Sequence, residues 1–159
     1  MDTKYMFTIA AASAVALMFS ATAFAQKGGT EREAKAMLDK AVAAVKADKT
    51  NALSQFNNGQ GGFLDRDLYV FCAGVTDGKL VAIGNPNAKQ LMGTDARTLK
   101  DANGKAYGQE IFNAGQKPEG QVTEVAGYLF SRPSDPTPVP KNSFVEKVGD
   151  IYCGVGYYK

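Results

Sequence analysis

The residues of this chain best suited to chemistry are two cations and a set of aromatic hydroxyls. Arg132 and Lys141 flank a proline-rich stretch, Ser131 to Pro140. A guanidinium offers a carboxylate a bidentate fork, and an ammonium offers a point charge. Tyr69, Tyr107 and Tyr128 can add hydroxyl groups. Phe71 and Phe130 lie two residues from Tyr69 and Tyr128, so each shares a strand face with its tyrosine. Cationic and hydrogen-bonding groups in an otherwise apolar wall are what a pocket for a small anion requires. Each of these residues also has a plainer reading. A Lys or Arg beside a proline turn is commonly a solvated loop charge, and a strand tyrosine is commonly core with one satisfied hydroxyl.

Other chemistries are poorly served. The 159 residues contain no histidine, which removes the commonest general base, Ser-His and Cys-His nucleophile pairs, and histidine metal sites. No nucleophile motif and no paired-carboxylate arrangement stands out, so a binding module is expected rather than an enzyme, with no cofactor. Asp65, Asp67 and Asp101 invite a calcium reading, yet Asp65-x-Asp67 lacks the rest of an EF-hand loop, and solvated turn carboxylates are expected instead. Cys72 and Cys153, without a histidine, do not make a zinc site. A formal net charge of +2 is too weak to point to nucleic acid or an anionic membrane surface.

The elements that must position these residues begin after a leader. Met1 to Ala25 reads as a secretory signal peptide. Lys4 supplies the positive start, Met6 to Phe19 is apolar except for Thr8 and Ser13, and Ala21-Thr22-Ala23-Phe24-Ala25 carries small residues where a signal peptidase cuts. The apolar run is about 14 residues, short of the roughly 20 that span a bilayer. Cleavage leaves residues 26–159 as one exported domain, with no stable membrane insertion. The rival is an uncleaved anchor. In an oxidising compartment an even cysteine count favours a Cys72–Cys153 disulfide. Closing that loop stabilises by about 4–5 kcal/mol on the chain-entropy estimate. The alternative is two buried thiols acting as small hydrophobes.

Thr30-Glu31-Arg32-Glu33 is a capping box opening a helix. Ala34, Leu38, Ala41 and Val45 form one stripe along it, and the helix is expected to break and restart at Asp48-Lys49-Thr50. Asn57 to Gly62 is a loop. Asp67 to Thr76 alternates as a strand, with Tyr69, Phe71, Ala73 and Val75 on one face and Leu68, Val70, Cys72 and Gly74 on the other. Asp77-Gly78 is a hairpin signal returning through Lys79 to Gly84, and Asn85-Pro86 ends that strand. Lys105 to Ala114 is a predicted helix and Gly120 to Phe130 a strand. Ser131 to Pro140, with four prolines, is expected to be a loop. Asn142 to Val148 and Ile151 to Tyr158 are the last two strands. The fold class is α+β: a long N-terminal helix packed on one five-stranded antiparallel sheet.

Taken in order, Phe63 to Phe71, Asp77-Gly78, Asn85-Pro86, Leu91-Met92-Gly93, Leu99 to Lys105, Gly127 to Phe130, Pro140 to Phe144 and Gly154 to Tyr158 resemble a single Cache domain of the second type, an extracytoplasmic relative of PAS domains. The resemblance spans Thr30 to Tyr158. It implies the helix-on-sheet arrangement and a ligand pocket on the opposite sheet face, roofed by the segment between the second and third strands, here Asn85 to Gly120. It implies small polar ligands, often short carboxylates. It also gives more weight to Tyr69, Tyr128 and Lys141 as ligand contacts, with Phe71, Tyr107, Phe130 and Arg132 beside them. Such domains usually form the outer part of chemoreceptors and sensor kinases. This sequence runs only to Lys159, so a freestanding periplasmic binding protein is expected, passing its occupancy to a membrane sensor kinase or chemoreceptor. The alternative is an interaction protein that docks to such a receptor with a vestigial pocket.

Overall fold

The computed structural model describes residues 28–159, so the proposed leader and its cleavage site lie outside the described residues. The first helix, α1 (Glu31–Ala47), starts at the expected capping box. Thr30 Oγ1 accepts from the Glu33 amide at 3.2 Å, and the Glu33 carboxylate accepts from the Thr30 amide at 2.8 Å. Arg66 also donates to Glu33, and these contacts hold its carboxyl down at about 2. The expected break is real and is made by one residue. Asp48 ends α1, and its side chain accepts from the Asn51 amide to cap α2 (Lys49–Asn58). Gly59, in a left-handed conformation with φ 63°, terminates α2.

Six strands follow: β1 (Leu64–Asp65), β2 (Leu68–Gly74), β3 (Leu80–Ile83), β4 (Thr123–Arg132), β5 (Asp135–Val148) and β6 (Ile151–Tyr158). All pairings are antiparallel. The five longer strands stand in the order β3-β2-β6-β5-β4, and the two-residue β1 folds back on the start of β2. That short strand was not foreseen from sequence. The chain crosses from β3 at one edge to β4 at the other through the segment 84–122. This segment holds 3-10 turns at Pro86–Leu91 and Ala96–Thr98 and a third helix, α3 (Tyr107–Ala114).

The sheet separates two cores. On one face, α1 and α2 bury Leu38, Ala41, Val45 and Phe56 against Leu68, Val70 and Val155. Cys72 and Cys153 are direct register partners on this face and are joined in a disulfide. On the other face, Tyr69, Phe71 and Ala73 of β2 meet Val125 and Tyr128 of β4, Val145 of β5 and Tyr152 of β6 beneath α3. The expected alternation of β2 therefore holds residue by residue.

One expectation fails. Ser131 to Pro140 is not a loop: Ser131 pairs with Pro138, Phe130 with Val139 and Leu129 with Pro140, leaving a tight reversal at Pro133-Ser134. The prolines are tolerated because Pro136, Pro138 and Pro140 alternate along β5. Their missing N–H groups then all point toward the same neighbour. The Pro140 carbonyl accepts from Lys159, so that neighbour side is β6, which pairs with β5 only from Lys141 onward. No ladder hydrogen bond is lost.

Candidate functional site

The sheet face opposite the helices is built with two missing side chains. On β6 the residues facing this side are Tyr152, Gly154, Gly156 and Tyr158. A side chain at Gly154 would run into the Phe71 ring, and one at Gly156 into Lys141 Cε and Ser143 Oγ. The two glycines thus provide the floor on which Phe71 and Lys141 lie flat across the sheet. The crossover segment closes over them. Leu91, Ala96, Leu99 and Ile111 from the roof, with Tyr69, Tyr107, Tyr128 and Phe130, enclose a cavity of about 40 Å³.

Lys141 is the one ammonium in this wall. It pairs in register with Tyr128 on β4 and Tyr158 on β6, and is 1% exposed. Its Nζ donates to the Tyr69 hydroxyl at 2.6 Å. It lies 4.1 Å from the Tyr69 ring centroid and 5.0 Å from those of Phe130 and Tyr158. Among the described residues it makes no ion pair. Burial pulls its pKa down to about 7, only partly opposed by the negative charge of Asp67. The rings favour the charged form and desolvation disfavours it, so the amine is poised between the two states near neutral pH.

The hydroxyls around it form a connected set. Tyr69 accepts from Lys141 and from Asn85 Nδ2 at 3.4 Å; Asn85 also donates to the Ser131 carbonyl at 2.9 Å, which accepts from the Tyr158 hydroxyl at 2.5 Å. Tyr128 shares a 2.6 Å hydrogen bond with Ser143 and stacks on Tyr107, centroids 4.7 Å apart. Burial raises the pKa of Tyr69 and Tyr128 far above the usual tyrosine value and that of Tyr107 to about 12, so all three stay neutral at physiological pH. The Tyr152 hydroxyl is buried in the same wall and has no hydrogen-bond partner among the described residues.

Six of the seven sequence-predicted residues line this one cavity: Tyr69, Phe71, Tyr107, Tyr128, Phe130 and Lys141. The solvated-loop alternative for Lys141 is overturned by its burial. Arg132 is not in the wall. Its Nε donates to Asp67 Oδ2 at 3.2 Å, and its guanidinium lies over the Tyr158 ring, one layer behind Lys141. Asp67 is a second correction, because it is 3% exposed rather than solvated. It accepts from the Gly29 amide and from Arg132, tying the entry to α1 to the back of the site. Asp101 caps its own turn and accepts from the amides of Asn103, Lys105 and Leu129, which lowers its pKa. Asp65 pairs with the neighbouring Arg66.

Sequence reasoning missed Tyr152, Tyr158, Gly154 and Gly156. Their signal was present as a strand in which two glycines stand between two tyrosines on one face. Outside the cavity lies an open groove of about 350 Å³, lined by Asn87, Lys100, Asp101, Pro136 and Pro138 among others. Leu91, Leu99, Tyr107 and Phe130 belong to both walls, so these four side chains stand between the groove and the cavity.

The arrangement is similar to known sensor folds. A methyl-accepting chemotaxis protein from Vibrio parahaemolyticus superposes with a TM-score of 0.63 at 23% identity, over 80% of this chain and 86% of that one. A periplasmic sensor domain of a chemotaxis protein gives 0.58 at 23% identity, over 80% and 88%. A Cache chemosensory domain that recognises carboxylic acid gives 0.56 at 22% identity, over 80% and 86%. At these identities the likeness is one of fold. No curated protein matches the chain in sequence. The family model for single Cache domain 2 matches residues 2–158, and the protein belongs to that family.

Proposed function

We propose that this chain is an exported Cache module that binds a small organic acid, or a similar polar metabolite, and passes its occupancy to a membrane sensor kinase or chemoreceptor. The observation that carries this reading is Lys141: a buried ammonium in a cavity wall, with hydroxyls beside it and no carboxylate paired to it. A buried charge without a counter-ion is unfavourable, and a ligand carboxylate would supply the missing partner. A cavity of about 40 Å³ holds roughly two or three waters, so in this closed form the occupant is an acid of very few heavy atoms. The recognition of carboxylic acid by a similar Cache domain supports the ligand class. The leader-like start of the sequence, together with the periplasmic setting of another similar fold, supports the location. Among the described residues no helix is long and apolar enough to cross a membrane. The wall holds hydrogen-bonding groups but no nucleophile–base pair, which fits binding rather than catalysis.

The test is thermal unfolding against a panel of short carboxylic acids, amino acids and amines. A ligand at 100 times its Kd adds about 2.7 kcal/mol of stability. Stabilisation by a short acid and none by amines is the expected pattern. The small volume of the cavity is what favours the alternative, a docking protein with a vestigial pocket. A well-folded sample that no compound stabilises would support that alternative and end the ligand-binding reading.

A further inference from the structure

We propose that above neutral pH the cavity takes up a short-chain acid together with one proton, so that its occupancy there follows the undissociated acid rather than the anion. This rests on the acid-binding reading above and concerns what else must enter with the ligand. The charge inventory of the site carries it. Lys141 is the single basic side chain in the cavity wall, and it is sealed from water by the sheet, the rings of Tyr69, Phe130 and Tyr158, and the roof.

Every other charged or titratable group around it is already committed. On β2 and its approach, Tyr69 is neutral, and Asp67 is held by Arg132 and the Gly29 amide. On β4, Tyr128 is neutral and Arg132 is spent on Asp67. On β6, burial raises the pKa of both Tyr152 and Tyr158. From the roof, Tyr107 is neutral, while Asp101 is ionised and bound to backbone amides. Lys89, outside the cavity wall, donates to the carbonyls of Asn57 and Ile83. The sequence has no histidine. Lys141 is therefore the group in this wall that can change charge between pH 6 and 8, its pKa lying at about 7.

Short carboxylic acids ionise near about pH 4, so the ligand arrives as an anion. Placed beside Lys141 in a medium of low dielectric, that anion strongly favours the ammonium. The balance is simple: the amine lone pair takes a proton from solvent, and the resulting ammonium pairs with the carboxylate. An anion plus a proton is thermodynamically the neutral acid. Below pH 7 the empty site is already protonated and little proton is taken up. Above pH 7 uptake approaches one proton, and apparent affinity falls about tenfold per pH unit. The sensor would then respond to acid and acidity jointly.

The experiment is calorimetric titration of the full protein with acetate and with propionate at pH 6 and pH 8, in phosphate and in Tris, whose ionisation heats differ. Affinity about tenfold weaker at pH 8, with a buffer-dependent heat equal to uptake of nearly one proton there and almost none at pH 6, is the expected result. Binding of equal strength at both pH values, with heats independent of buffer, overturns the inference while leaving the acid-binding reading intact. No binding of either acid at pH 6 overturns both. A direct reading comes from the Lys141 Cε resonance: its titration midpoint should rise by at least one pH unit in saturating acetate, and an unmoved midpoint would refute proton uptake.

Discussion

Lys141 is placed where it weakens the empty protein, as a residue with the proposed ligand role would be. Its pKa falls from 10.5 to about 7 on folding, so between these values the unfolded chain binds more protons than the folded one. Stability from this group therefore rises with pH across that window and is lost as pH falls toward 7. Lys141→Met removes the buried amine while keeping the length of the side chain. Tyr69 is not orphaned by the change, because Asn85 still donates to it. The variant is expected to be more stable than the ligand-free parent at pH 7, by about 1–4 kcal/mol in denaturant unfolding, and to lose all stabilisation by short acids. A structural lysine would give the opposite sign. Gly156→Ala tests the floor beneath it. The new methyl group would displace Lys141 Cε, which lies in the space a side chain there would fill. A loss of about 1–3 kcal/mol and a weakened response to acid are expected, read by the same unfolding and titration.

At the scale of elements, the two faces of the sheet have separate duties. The disulfide between Cys72 and Cys153 ties β2 to β6 on the face covered by α1 and α2, away from the cavity. Replacing both cysteines by serine should lower stability by about 2–5 kcal/mol in denaturant unfolding. Acid binding should persist wherever the variant is folded, since no cavity-lining residue is touched. A loss of ligand affinity greater than the loss of folded fraction would show that the faces are coupled. The capping box at Thr30 and Glu33 and the helix break at Asp48 were legible in sequence, because caps and turns depend on neighbours in the chain. The hairpin from β4 to β5 was not. Four prolines argue for a loop on any local reading. Pro133 stays in the turn, and the other three become strand residues only because β6 ends where they begin, leaving no partner for the missing donors.

For the whole molecule, the described domain places its entry and its cavity in contact. Gly29, which precedes α1, donates to Asp67; Asp67 holds Arg132; Arg132 lies over Tyr158; and Tyr158 is part of the ring cage around Lys141. This chain of contacts links the site to the N-terminal end of the described domain. If the leader is a cleaved signal, N-terminal sequencing of the exported protein will begin at Gln26. Retention of Met1 would instead identify a tethered domain. Either outcome leaves the cavity as described, but each implies a different route for its occupancy to reach a partner.

What the sequence determined by itself was periodic and local: the helical stripe of α1, the alternation that sends Tyr69 and Phe71 to one face of β2, and the absence of histidine that narrows the chemistry. It also held enough ordered motif to resemble its family. What only the tertiary structure decided was where charge is buried. Arg132 and Lys141 look equivalent in the chain, nine residues apart on either side of a proline run. Folding sends Arg132 to Asp67 behind the site and lays Lys141 across Gly156 into the cavity wall. Desolvation depends on every neighbour that crosses from β2, β4, β6 and the roof. No window of sequence contains that set, so the one buried cation without a counter-ion among the described residues could be identified only once the sheet was assembled.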